Sequence, residues 1–276
     1  MHPQTHRKGA PGRLFCCLSF ALLLGFHAAG AGADTLCPAQ RIDERAQVQR
    51  VHDGDTLRLA DGRKLRLIGI DTPERSRKGR PAQPFADEAT QALRRLIDAS
   101  GRRIGLQFGE QRHDRYQRLL AHVFDREGRN LNAALIRQGL AVAYTTPPND
   151  RLSACYHRLD RQAGAAGAGF WNHPKYAIVD SEDILDAGEG FHRVRAHIRK
   201  LRFNSNGAWL YAGALAIHIR PADLAEFDLG WLTSYEGRAM ILRGWLRRDR
   251  YQPASKRYLR LRHPDNIESG GHYMPR

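Results

Sequence analysis

Residues 48–70 constrain the fold more than any other stretch. Two arms that mix polar and apolar residues, VQRVHDGDTLRLA and RKLRLIGI, flank Asp61-Gly62. Successive side chains of a strand point to opposite faces, so such alternation reads as paired strands with one face buried. Asp-Gly favours the tight two-residue turn whose twist suits paired strands, which predicts a hairpin with its register set by Asp61 and Gly62.

The chain beyond this hairpin fits a small β unit dressed with helices. Residues 84–100 carry Phe85, Ala89, Leu93 and Ile97 at four-residue spacing, with Gly101 where a C-terminal cap belongs. Strands are predicted near 104–108 and 119–124, and further helices over 130–138 and 150–164. The resulting class is α+β and mainly β: an OB-type five-stranded barrel with packed helices. Past Trp171-Asn172-His173-Pro174 the pattern changes, and the acidic, glycine-bearing stretch 179–190 marks a boundary. Beyond it, 194–203, 209–219, 239–248 and 257–263 read as strands interrupted by a helix-like PADLAEF, which predicts a second, smaller OB-like barrel over 191–270 and a tail over 271–276. Its strands interleave His192, Arg193, Arg195, Arg199 and Lys200 with apolar residues. That pattern suits either a solvated outer face or a nucleic-acid groove.

The first 33 residues read as processing. Arg7, Lys8 and Arg13 precede an apolar run over 14–26, and Ala31-Gly32-Ala33 ends it with small residues. This is the layout of a secretory signal peptide cut after Ala33, and the run falls well short of the ~20 residues needed to span a bilayer. The expected location is the periplasm or the medium. Without that segment, which holds three basic residues and no acid, the net charge of +15 becomes +12. Such a balance attracts phosphate polyanions but carries no sequence information. Cys16 and Cys17 would leave with the leader, and Cys37 and Cys155 would remain in an oxidising compartment. A disulfide between them is the expected state, with two buried thiols as the alternative.

Chemistry is suggested by two short clusters. Asp53-Gly54-Asp55-Thr56 interrupts the first arm, and Asp71-Thr72-Pro73-Glu74 ends the second. Counting back from the turn brings Asp55 near Arg66, with Asp71 just beyond the strand end. Clustered carboxylates repel one another unless a cation sits among them, and hard oxygen donors suit Ca²⁺ or Mg²⁺. No Cys/His set has zinc spacing.

Together these motifs resemble the staphylococcal nuclease family. The order runs Asp53-Gly54-Asp55-Thr56, Arg66-Leu67, Asp71-Thr72-Pro73-Glu74, then QRHDRYQR at 111–118 and NAALIRQGLA at 132–141. The resemblance spans roughly 47–175, within a catalytic region of 34–178, with 179–190 as a linker. It implies a Ca²⁺-dependent nuclease that hydrolyses DNA and RNA and leaves 3′-phosphate ends. It further implies that Asp55, Asp71 and the Thr72 carbonyl are metal ligands. Arg66 and Arg118 would grip phosphate, Glu74 would activate water, and Tyr144 would line the nucleotide pocket. Gln117 stands where the family usually has Gly, and Thr146 takes the place of a second pocket tyrosine. The alternative reading is a non-catalytic secreted nucleic-acid-binding OB-fold protein, which loss of a carboxylate would mark. No protein partner and no membrane span are expected, and the chain is expected to be a monomer.

Overall fold

The computed structural model describes residues 36–268 apart from 77, 78, 80 and 253. The expected leader over 1–33 and tail over 271–276 lie outside the described residues.

The first half comprises β1 (Glu44–Asp53), β2 (Thr56–Leu59), β3 (Lys64–Leu67), β4 (Ile70–Asp71), α1 (Ala86–Ala99), β5 (Arg103–His113), β6 (Leu119–Phe124), α2 (Leu131–Arg137), β7 (Val142–Ala143) and α3 (Ser153–Ala165). Five strands close into a barrel in the order β1-β2-β3-β6-β5, as the OB-type reading predicts. β4 and β7 form a separate two-stranded ribbon. Leu57, Leu59, Leu65, Leu67, Leu106 and Phe124 fill the barrel core. α1 lays Ala89, Leu93 and Ile97 against it, as their four-residue spacing requires. Asn130 caps α2, its side chain accepting from Ala133 N.

Two local expectations are corrected. The first arm is not one strand: the chain reverses at Gly54-Asp55, so that β1 pairs antiparallel with β2 through Val51↔Leu57 and Asp53↔Thr56. The Asp53 carboxylate accepts from Asp55 N at 3.2 Å, a local side-chain turn that competes with an extended strand. Nor is the Asp61-Gly62 turn a two-residue one. Leu59 N donates to Arg63 O and Gly62 N to Leu59 O, with Gly62 at φ 90°. Asp61 accepts from Arg63 N at 2.9 Å, holding the longer loop and shifting the register by one residue. Arg66 therefore faces Thr56 across the ladder.

The second half comprises β8 (Ile178–Asp180), β9 (Gly190–His197), β10 (Lys200–Asn204), β11 (Gly207–Ala212), β12 (Leu215–Ile219), α4 (Pro221–Leu224), α5 (Leu229–Thr233), β13 (Ala239–Arg248) and β14 (Arg257–Arg260). The further β unit expected here is a seven-stranded sheet, ordered β10-β11-β12-β14-β13-β9-β8. Its ladder runs between two edge strands and not round a closed barrel, among the described residues. The expected strand at 194–203 is two: Ile198 N bonds to Arg238 O but Arg199 N to Tyr211 O, so the chain switches neighbours there. That at 209–219 is also two, turning at Gly213 with φ 59°. Ala196, Leu210, Ile217, Leu242 and Leu259 build a second core on one face of this sheet.

A buried ion cluster joins the halves. Arg243 on β13 pairs with Asp160 on α3 and, at 2.8 Å, with Glu268. It also donates to Ala143 O on β7 at 3.3 Å. Glu268 is shared with Arg193, whose Nη2 lies 2.6 Å away. Asn266 clamps Thr145, accepting from its N and donating to its O, both at 3.1 Å. Removing one partner of such a cluster strands the others in a low dielectric, so Arg243→Ala is expected to cost about 3–5 kcal/mol in urea unfolding.

Burial also sets an acid limit. It drives the His122 ring down to about 3, His192 to about 4 and His157 well below its ordinary value. The unfolded chain then binds more protons than the fold below pH ~6.5, and stability falls as pH drops. Asp71 and Asp160, whose carboxyls burial pushes the other way, offset part of this. Urea unfolding at pH 7 and pH 5 is expected to show a net loss, and His122→Gln a shallower one, each histidine contributing a slope approaching ~1.4 kcal/mol per pH unit.

Candidate active site

The site is assembled from consecutive turns and strand ends on one rim of the barrel. Asp55 sits in the β1–β2 turn and Thr72 follows β4. Both are buried, and Asp55 Oδ2 accepts from Thr72 N at 3.1 Å and from its hydroxyl at 3.0 Å. Gly54 allows that approach. A Cβ there would lie 2.8 Å from the Thr72 hydroxyl and 2.9 Å from Ala89 of α1.

Arg66 on β3 reaches between the two acids. Its Nη1 pairs with Asp55 Oδ2, and its Nη2 lies 2.6 Å from Asp71 Oδ1 while also donating to Ile70 O at 3.2 Å. One guanidinium thus balances two buried carboxylates. Burial pushes the Asp71 carboxyl up to about 6 against the pull of Arg66, and Glu74 and Asp53 add repulsion. Such a site is short of positive charge, and its oxygen donors are hard. The residues present fit a divalent cation held by Asp55 and Asp71.

Glu74 is exposed beside them, and its backbone is held on both sides by Gln83. Glu74 N donates to Gln83 Oε1 at 3.0 Å, and Gln83 N donates to Glu74 O at 2.9 Å. Arg118 immediately precedes β6, where Leu119 pairs with Leu65 and Leu120 with Arg66. Strand alternation puts Arg118 on the face that carries Arg66. Its guanidinium is engaged by Asp114 at 2.7 Å and lies 5.7 Å from the Tyr116 ring. Tyr144 follows β7, half-buried, with its N donating to Gly69 O at 3.1 Å. Burial raises its phenol to about 12. Arg262, Arg260 and Arg247 oppose this and Asp71 reinforces it.

The structure thus brings Asp55, Arg66, Asp71 and Thr72 into contact, places Glu74 and Tyr144 within Coulombic reach of Asp71, and holds Arg118 through Asp114. Cys37 and Cys155 are joined by a disulfide that ties the segment before β1 to α3. Sequence reasoning missed the Gln83 clamp on Glu74 and the arginines beside Tyr144. Both act across separations with no local pattern, as with Asn266 and Thr145, 121 residues apart. A second group of ligand-type atoms, from Asp150, Glu226 and His263, lies within 4.8 Å, but the other ring nitrogen of His263, Nδ1, is there engaged as a cap that accepts from Asp265 N at 3.1 Å.

A barrel with carboxylates and an arginine gathered on one rim defines a class that comparison with known proteins narrows. Residues 64–173 match the family described as staphylococcal nuclease homologue. The chain is 33% identical to the thermonuclease of Staphylococcus hyicus over 135 residues, 48% of this chain and 78% of that one. It is 29% identical to the thermonuclease of Staphylococcus intermedius over 168 residues, 60% of this chain and 98% of that one. An endonuclease of Bacillus subtilis, YncB, is 29% identical over 133 residues, 47% of this chain and 62% of that one. The chain belongs to the staphylococcal nuclease family.

At Gln117 the backbone takes φ 59°, the left-handed region where glycine is at ease. Asp114 holds the turn by accepting from Tyr116 N and Arg118 N at 2.8 and 3.0 Å. The turn is therefore kept with a side chain that strains it by about 1–2 kcal/mol, part of which glycine's own entropy would cancel. Gln117→Gly is expected to raise unfolding free energy by roughly 0.5–1 kcal/mol, measured in urea.

Proposed function

We propose that this protein is a metal-dependent nuclease that hydrolyses phosphodiester bonds in DNA and RNA, using Ca²⁺ and leaving 3′-phosphate ends, and that it works outside the cytoplasm. The convergence of Asp55 and Asp71 on Arg66 carries the reading. A module that only binds polyanions gains nothing from burying two acids at its basic surface. The names of the relatives, thermonucleases and an endonuclease, support the same substrate class. Among the described residues no helix is long and apolar enough to cross a membrane, which is compatible with secretion.

In this reading Asp55, Asp71 and the Thr72 carbonyl hold the ion, which supplies Lewis-acid neutralisation of the phosphate when bound. Arg66, which here balances both carboxylates, is then free to turn its fork to a phosphate oxygen, and Arg118 supplies a second fork from the same face. Donors fixed in this way stabilise the charge that builds on the five-coordinate phosphorus. Glu74, exposed and clamped by its backbone, takes the proton from the attacking water, and Tyr144 flanks the nucleoside.

Hydrolysis is expected to require Ca²⁺ and to stop in excess chelator. Undiminished turnover there would remove the metal assignment. Glu74→Gln keeps the side chain's shape but cannot accept a proton, so kcat should fall by about 10²–10⁴ with KM little changed. Near-normal kcat in that variant would show that Glu74 is not the base.

A further inference from the structure

The C-terminal sheet has one apolar face and one that is basic and aromatic. Register places two rows across the second face. In the first, Arg202 on β10 lies opposite Trp209 on β11, which lies opposite His218 on β12. In the second, Lys200 lies opposite Tyr211, and Tyr258 on β14 lies opposite Arg247 on β13. Directly paired residues share a face, so rings stand in the middle of the sheet with cations at its sides.

The rings form one connected group. Trp209 stacks on His218 with centroids 3.9 Å apart and planes 10° apart, and Tyr211 lies nearly parallel to Trp209 at 6.4 Å. Tyr258 closes the group, 6.3 Å from Trp209, with its hydroxyl 3.1 Å from His218 Nδ1. Trp209, Tyr211 and Tyr258 remain half-buried, while Lys200, Arg202 and Arg247 are exposed. A ladder of this kind adds modestly to sheet stability. Stability alone does not require cations at both ends of it.

The face is also continuous with the candidate active site. From the end of β14, Arg262 donates to Pro147 O at 3.4 Å, and Asn266 beyond it clamps Thr145. The strand bearing Tyr258 therefore runs directly into the segment that carries Tyr144. Arg260, two residues on from Tyr258, is itself held by Asp223 at 2.6 Å, whereas Lys200, Arg202 and Arg247 stay exposed.

We propose that this face binds the single-stranded nucleic acid that extends past the cleaved bond, its bases stacked on Trp209, Tyr211 and Tyr258 and its phosphates held by Lys200, Arg202 and Arg247. Rings that are only half-buried fit unpaired bases, whose faces a duplex hides, and base–aromatic stacking is tolerant of sequence. The role as an extended substrate site rests on the nuclease reading; the binding itself does not.

The test uses the full chain in chelator, where nothing is cut, and the fluorescence anisotropy of a labelled single-stranded DNA of about 20 nucleotides, long enough to cover several stacked bases. Trp209→Ala with Tyr211→Ala should weaken binding at least tenfold, whereas Trp209→Phe should keep it within about threefold. Lys200→Glu with Arg202→Glu, at exposed positions outside the core, should weaken it similarly and flatten its salt dependence. With Ca²⁺ restored, all variants should cleave a dinucleotide at the parent rate. Unchanged 20-mer binding in both double variants would overturn the proposal. So would an abasic oligomer that binds as tightly as the normal one, or anionic vesicles that compete as well as DNA. If no substrate is cleaved while the binding losses persist, the nuclease reading fails and this surface stands.

Discussion

A guanidinium with no access to water decides how the two β units of this chain meet. Arg243 needs counter-charges and finds them in Asp160, from a helix of the first half, and in Glu268, from the last described residues. An unpaired charge at that depth would cost several kcal/mol, so the arrangement that pairs it is strongly selected over others. The same side chain bonds to Ala143, which is laddered to Ile70, the residue beside Asp71. The sheet is thus coupled through one arginine to the ribbon that presents a site carboxylate.

The site itself shows how little chain is needed to gather reactive groups. Asp55, Arg66, Asp71 and Thr72 come from two turns and two strand ends within a single short stretch, and each touches another. Their support is distant. Asn132 bonds to Ile68 O and accepts from Val123 N, fixing the turn before Asp71 from across the barrel. Tyr156 on α3 bonds to His122 and Asn130 in the buried layer beneath.

This division between local motif and distant support explains what was legible in the sequence. The barrel, the helix carrying Ala89, Leu93 and Ile97, and the nearness of Asp55 to Arg66 depend on local periodicity and on motifs close in sequence. The one-residue shift at Asp61-Gly62 was hidden because Asp61 chooses between turn lengths through a side-chain bond to Arg63 that no alternation pattern reports. The reversal at Gly54 was hidden likewise. Asp-Gly-Asp is compatible with an interrupted strand or a turn, and only the close packing of Thr72 and Ala89 against Gly54 decides between them. In the second half, alternation marked strands correctly but not where one strand ends and the next begins, because Ile198 and Arg199 merely change partners within one continuous pattern.

The bond between Cys37 and Cys155 divides the chain topologically. Cys37 precedes β1 and Cys155 lies on α3, so every barrel strand and the β4–β7 ribbon fall inside the ring it closes across a sequence separation of 118. The seven-stranded sheet lies wholly outside it. An unfolded chain is therefore tethered over its first half and free over its second, and the conformational entropy removed from the denatured ensemble belongs to the barrel alone. A reductant would lengthen the reach of the barrel's unfolded segment and leave that of the sheet as it was.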